Sequence, residues 1–395
     1  MESIRFRVLA LTSLAHFLND GTALVYSLLI VYYHEILSIS LVILGAISIV
    51  YTLLSGVVSP FIGDFADKHD LDAPLLSLGI ALEGIGIGLL ALPFVFTSLS
   101  LPLVVLGAVI LGFGQAFYHP IGGEMLARAF GNNAGRHMGI NGAMGSVGRA
   151  VTPSIITLLI LALGDSLGLG IVSIYMIIAS LIIYYSLRFF KKDISSTAIR
   201  KKNEKLDSSL KKFLIVLLII VFMRNMFITG VTTFIGQYVF DIFNSKALVG
   251  LFLTIGFLGS ILGQPFFGYL TEKKGGAFSF ILSSLITIIF FVAFMLIKVN
   301  FLLSGIIFTV VTFAAFTAFP VLMGYVAQTF PKSFVTVANS YVWGIGVVVG
   351  GSAGTAMVTA LLGLGYSLAL SFWILTALAV VSLALTPLLL RRGKY

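Results

Sequence analysis

Apolar residues run along this chain in blocks long enough to cross a bilayer, and polar residues gather in short turns between them. Twelve spans follow from that pattern, at about 7–34, 40–62, 74–97, 101–130, 136–163, 167–189, 212–242, 247–270, 278–297, 301–329, 334–362 and 365–389. A helix needs roughly 20 apolar residues to cross the hydrocarbon core. Several of these spans are longer, which predicts tilt or extension beyond the bilayer. The expected fold is an all-α integral membrane protein with twelve transmembrane helices. Composition agrees: 59% of the residues are hydrophobic and 10% charged, against about 25% charged in a soluble domain.

Charge sets the expected orientation. Of the 24 Lys and Arg, Lys246 and Lys298 fall in outer loops and Arg149 and Arg224 inside spans, which leaves 20 for the cytoplasmic segments. Basic residues stay on the inside, so both termini are expected in the cytoplasm, in a cell membrane. The net charge of +9 is explained the same way, and no nucleic-acid partner is expected. The basic start with Arg5 and Arg7 before an apolar run resembles a leader. His16, Asn19 and Asp20 interrupt that run and no small-residue cleavage pattern follows, so it reads as a retained first helix. There is no cysteine, which excludes disulfides and thiolate metal sites. A monomer with no cofactor is expected.

The longest polar stretch, KKDISSTAIRKKNEKLDSSLKK from Lys191 to Lys212, divides the chain into an N-terminal half (1–190), a basic linker (191–211) and a C-terminal half (212–395). The halves repeat. SPFIGDFADK (Ser59–Lys68) matches QPFFGYLTEK (Gln264–Lys273) at an offset of 205, and Pro120, Ala127 and Phe130 recur as Pro320, Ala327 and Phe330 at an offset of 200. Six spans per half make the repeats parallel, an arrangement suited to alternating access. Within the first repeat Gly63 is read as a turn residue after the helix. Asp67 and Lys68, with Gly268, Glu272 and Lys273 in the second copy, are read as a cytoplasmic gate latch.

With these motifs in view the chain resembles the major facilitator superfamily. Gly63-Asp64-Phe65-Ala66-Asp67-Lys68 is similar to that superfamily's loop motif between helices two and three. A closer resemblance, to fosmidomycin-resistance-type exporters, rests on HFLND (His16–Asp20), FYHP (Phe117–Pro120), GRHMG (Gly135–Gly139) and GSVG followed by Pro153. Two features depart from the pattern. Arg149 stands in the glycine-rich fifth span, and ILGFGQAF (Ile110–Phe117) lacks the Arg that many drug exporters carry in helix four. The resemblance implies a two-half fold whose helices 1, 4, 7 and 10 line a cavity.

The charges inside the spans carry the candidate chemistry, because an intramembrane ionisable group is costly and marks function. His16 and Asp20 are four apart and share a helix face. Asp20 lies about 21 Å along its helix at 1.5 Å per residue, past the midplane. A carboxylate that alternates between a dry site and an Arg can take up and release a proton, so Asp20, His16 and Glu124 are the expected proton-coupling residues. Arg224 and Asn225 stand at an offset of 205 from Asn19 and Asp20. Arg224 is expected either to bind an anionic substrate group or to pair with Asp20. Asn19, Asn225, Gln115, His119, Arg149 and Gln237 complete the expected substrate-binding set. Arg149 is expected to pair with Asp20, Glu83 or Glu124, or to join Arg224 in a positive site. Glu83 is given little functional weight, and Gly142, Gly145 and Gly148 are read as packing residues.

The leading reading is a secondary transporter rather than an enzyme. Its partners are a small-molecule substrate, protons and the lipid bilayer. No Walker-type phosphate loop is present. Proton-coupled export of a small amphiphilic or anionic compound leads, and proton-coupled import of an organic anion is second. A metal-dependent intramembrane enzyme is the remote alternative, because none of the five histidines forms an HxxxH or HExxH pair.

Overall fold

A computed structural model describes residues 2–131, 134–191, 207–297 and 300–390. All regular structure among them is helical. Twelve helices are long and apolar enough to cross a membrane: α1 (Ile4–Leu37), α2 (Leu41–Ala66), α3 (Asp72–Phe94), α4 (Thr97–Phe130), α5 (His137–Leu163), α6 (Asp165–Leu187), α7 (Ser208–Phe243), α8 (Lys246–Lys274), α9 (Gly276–Leu296), α10 (Phe301–Thr329), α11 (Val337–Gly363) and α12 (Leu368–Leu389). The chain divides into two units, 1–199 with 244–254, and 200–243 with 255–395. Residues 192–206 of the expected linker lie outside the described residues.

Close helix packing in each unit comes from glycine. In the first, a Cβ on Gly148 of α5 would overlap the Phe17 carbonyl of α1, and one on Gly145 would meet the His16 ring. In the second, a Cβ on Gly354 of α11 would overlap the Met226 carbonyl of α7. Only small residues let backbones approach this closely.

Three spans are interrupted where the candidate residues gather. Within α1, the segment Glu2–Thr22 ends and Val25–Leu37 begins after a two-residue turn at Ala23–Leu24. Within α4, the segments Ser100–Gln115 and Tyr118–Phe130 flank Ala116–Phe117, and in α10 Phe301–Ala315 and Ala318–Thr329 flank Phe316–Thr317. Pro120 and Pro320 supply the reason for the last two. Each lacks an N–H, so the carbonyl four residues earlier, at Ala116 or Phe316, loses its helical partner. Irregular backbone at membrane depth is tolerated where protein groups satisfy it.

The structure differs from the turn reading of Gly63 and Gly268. Both lie inside helices, in Leu41–Lys68 and Lys246–Lys274. A Cβ on Gly63 would stand 3.1 Å from the Pro120 ring, and one on Gly268 3.5 Å from the Pro320 ring. These glycines seat one helix on the proline of another, which is why the two repeated motifs recur together.

Candidate functional site

The site lies in the first unit, beside the break in α1. Asp20 is buried one half-turn before that break. Arg149 of α5 donates from Nη2 to Asp20 Oδ2 at 2.5 Å. His16 Nε2 lies 3.4 Å from the same oxygen and His119 Nε2 3.7 Å from Oδ1. Asn19 Nδ2 donates to Oδ1 at 3.2 Å. Of the partners left open for Arg149, the structure gives Asp20. It also explains the Arg in a glycine-rich helix: Gly145 and Gly148 bring α5 near enough to α1 for the guanidinium to reach.

His16 is oriented by a residue that the sequence reading missed. Its Nδ1 lies 2.7 Å from Asn141 Oδ1, which also accepts from the Tyr118 hydroxyl at 2.7 Å. Asn141 Nδ2 faces the Thr12 and Ser13 hydroxyls at 3.4 and 3.3 Å. An amide oxygen only accepts, so His16 Nδ1 carries a hydrogen. Nε2, facing Asp20, then holds a hydrogen only in the doubly protonated ring. The Tyr118 ring stacks on His16 at 4.4 Å and His119 meets it edge-on at 5.5 Å. The His119 side chain is 54% exposed, so it is the open member of the cluster. The signal in the sequence was the amide of Asn141 amid the small and apolar residues of GINGAMGSVG.

A second polar network shares the break. The Thr22 hydroxyl lies 2.6 Å from Glu83 Oε2 of α3 and 2.8 Å from the Asn19 carbonyl oxygen, and it accepts from Gln115 Nε2 of α4 at 2.7 Å. Gln115 Oε1 accepts from Tyr51 of α2 at 2.6 Å. Four helices thus meet at Glu83, which sequence reasoning had set aside because it sits on an outer helix. Gln115 takes part in this network through both ends of its amide.

Other expected site residues lie elsewhere. Glu124, assigned to proton coupling, has its Oε1 3.9 Å from Arg128 Nε one turn on, and Arg128 also pairs with the buried Asp72 at the start of α3. Glu124 stands five positions after His119, past the Asp20 cluster. In the proposed latch, Lys68 pairs at 2.6 Å with Asp64, both well exposed. Lys273 sits over the Tyr269 ring, and Glu272 is exposed. The side chain of Asp67 lies outside the described residues.

In the second unit, Arg224 lies against the break in α10. Its side chain is buried, and Nη2 donates to the carbonyl oxygens of Ala314 and Ala315 at 3.4 and 3.2 Å. Its guanidinium carbon lies 5.4 Å from the Phe280 ring centre. Thr317 donates to the same Ala314 oxygen at 2.8 Å. Arg224 therefore caps the broken end of the first α10 segment, where carbonyls lack helical partners. Asn225 Nδ2 bonds Val221 of its own helix at 2.8 Å, and Gln237 Nε2 bonds Asp241 at 2.9 Å.

His16, Asp20 and His119 offer three ligand atoms within 4.8 Å of one another, a set able to hold a metal ion. Arg149 already occupies one Asp20 oxygen.

A model of the Major Facilitator Superfamily matches residues 10–350, and the chain belongs to that superfamily. It is a multi-pass membrane protein. The uncharacterized MFS-type transporter YfnC of Bacillus subtilis (strain 168) is 23% identical over 272 residues, 66% of this chain and 65% of that protein. The Fosmidomycin resistance protein of Escherichia coli (strain K12) is 24% identical over 274 residues, 66% of this chain and 64% of that protein. The chain thus spans just under two thirds of the length of either relative. Two solved structures share the fold. A bacterial homolog of the human lysosomal transporter Spinster, inward-facing and unoccupied, superposes with a TM-score of 0.70 at 14% identity, over 99% of this chain and 98% of that one. A peptide transporter, POT, in complex with sulfate gives 0.74 at 13% identity over 98% and 94%.

Proposed function

We propose that this transporter exports a small amphiphilic or anionic compound in exchange for protons, with the first unit holding the proton chemistry. The observation that carries this reading is the Asp20 cluster. One carboxylate faces Arg149 and two imidazoles beside a break in its own helix. Such a carboxylate has two competing partners for its charge, a fixed guanidinium and a proton. Binding a proton at Asp20 or His16 weakens the contact with Arg149, and reforming that contact expels the proton. Exposed His119 gives the cluster a side from which a polar group can arrive.

The amphiphilic part of the proposal is supported by an open apolar groove lined by Phe6, Leu9, Leu14, Phe17, Ile140 and Met144, with Ser13 as a polar member. Its stripe along α1 recurs at helical spacing and leads to His16 and Asp20 on the next turn. The likeness to a protein named for fosmidomycin resistance supports export.

The test is growth protection by wild type, Asp20→Asn and Arg224→Met at matched expression in an efflux-deficient bacterium. The panel contains fosmidomycin and lipophilic drugs. Protection by the wild type, lost in Asp20→Asn and kept in Arg224→Met, is expected. Protection by Asp20→Asn with the full pH dependence of the wild type overturns the assignment of the proton site.

A further inference from the structure

The Thr22 hydroxyl has one hydrogen and three neighbours. One is the Asn19 carbonyl oxygen, at 2.8 Å, which can only accept. Another is Gln115 Nε2, at 2.7 Å, which can only donate. The orientation of the Gln115 amide is fixed from both ends. Its Oε1 takes the Tyr51 hydroxyl, and its Nε2 also faces the Asn19 carbonyl oxygen, at 3.5 Å. The third neighbour is Glu83 Oε2 at 2.6 Å. If Thr22 gives its hydrogen to Asn19 and accepts one from Gln115, a single lone pair remains, and it needs a donor. A carboxylate cannot supply one, whereas a carboxylic acid can.

The surroundings of Glu83 point the same way. The residue is 0% exposed, and its Oε1 has no hydrogen-bond partner among the described residues. Among the described residues, the titratable groups that interact with it electrostatically are Asp20, Tyr51 and Tyr175, none of them a cation. A buried carboxylate without a counter-ion carries the full cost of desolvation, while a neutral acid with one bare carbonyl oxygen costs far less.

We propose that Glu83 is a second proton site of this transporter, filled in this conformation, its Oε2–H donating to Thr22 at the break in α1. The inference rests on the proton-coupled reading of the same unit. Among the described residues no chain of hydroxyls joins Glu83 to Asp20, because the Gln115 amide ends the run of hydrogen bonds from Thr22. The two sites are therefore linked through the backbone of α1: Asp20 and Thr22 are two residues apart, and Asn19 bonds to both. Glu83 holds the break in place, and a proton leaving it withdraws the donor that Thr22 needs.

Infrared spectra of the purified full-length protein at neutral pH test this directly. The wild type is expected to show the carbonyl stretch of a protonated carboxyl that exchanges slowly with deuterium. Glu83→Gln should lose this band, and Asp20→Asn should keep it. Thr22→Val should shift the band to higher frequency by removing its hydrogen-bond partner, and this variant keeps the test informative if Glu83→Gln does not fold. Absence of the band in folded wild type, or its persistence in folded Glu83→Gln, overturns the proposal. If transport instead proves independent of the proton gradient, the exporter reading falls while the band still decides whether Glu83 holds a proton.

Discussion

At the end of α4 that follows Pro120, Arg128 reaches back to the buried Asp72 at the start of α3. Two hundred residues further on, Gln328 stands in for Arg128. Its Oε1 accepts from the Gly276 N–H at 2.8 Å and its Nε2 donates to the Thr271 carbonyl oxygen at 2.9 Å. Both side chains tie the fourth helix of a half to the start of its third, one with an ion pair and one with an amide that also reaches the end of the second helix at Thr271. The same contrast recurs at the breaks. In the first unit ionisable side chains cluster at a broken helix, and in the second Arg224 spends its donors on backbone carbonyls. His119 corresponds to Phe319 at the same offset. A shared scaffold thus carries two fillings, a cluster of ionisable side chains in the first unit and a cation held by backbone carbonyls in the second.

The largest effects should come from the pair that makes the first filling. Asp20→Asn leaves Arg149 without its anion, and Arg149→Met leaves Asp20 without its guanidinium. Each should cost about 3–5 kcal/mol, the usual effect of breaking a buried pair. The double variant should recover most of that stability while remaining inactive. Thermal unfolding in detergent measures the recovery. Equal destabilisation of the double variant and the sum of the singles would mean that the two groups do not interact.

The glycine contacts should break both units alike. Gly148→Ala and Gly354→Ala each force a methyl group onto a backbone carbonyl, so each should lose stability at the upper end of about 1–3 kcal/mol. Gly123→Ala, with open space around its Cβ position, should be neutral. A large difference between the two buried glycines, read from the same unfolding curves, would show that the packing of α1 on α5 is not matched by that of α7 on α11.

The tie between third and fourth helices separates the fillings more finely. Arg128→Gln removes the cation from buried Asp72 and should cost about 1.5–3 kcal/mol. Gln328→Ala removes two neutral bonds worth about 1 kcal/mol each. Raising the salt concentration should leave the Gln328 effect unchanged. Arg128→Gln should be no less destabilising than Gln328→Ala; the reverse order would place the stronger tie in the second unit.

How far the sequence could be read follows from these same residues. Span positions were legible because hydropathy over 20 residues is a strong signal, and the repeat was legible because Pro120 and Pro320 keep their spacing. Asp20 and His16 stood out as charges in an apolar run. What stayed hidden depends on which residues meet across helices. The pairing of Arg149 is set by how closely Gly145 and Gly148 draw α5 to α1, a distance that no spacing within one helix gives. Asp72, which the sequence reading did not single out, is buried at a helix start. Glu83 looked peripheral because its helix is, although its side chain points to the break in α1. Arg224 shows a related limit: the cost of burying it points to a ligand or an acid, and backbone carbonyls at a broken helix also accept from it.

Arg224 gives the smallest expected effect and the sharpest separation of the two fillings. Its contacts are two hydrogen bonds of 3.4 and 3.2 Å to carbonyl oxygens, and its Nε and Nη1 have no hydrogen-bond partner among the described residues. Replacing it with Met removes those bonds but also removes the burden of a buried cation, and apolar replacement of such a charge is often neutral. Stability should therefore change by no more than about 1 kcal/mol. Arg224→Lys should be worse than Arg224→Met, because a compact ammonium keeps the charge and loses the planar fork that spans both carbonyls. Transport by Arg224→Met should stay near the wild-type rate in reconstituted vesicles. Loss of transport in Arg224→Met with wild-type stability would mean that the second unit also binds a charged group through this side chain, and the contrast between the halves would then be one of partners rather than of charge.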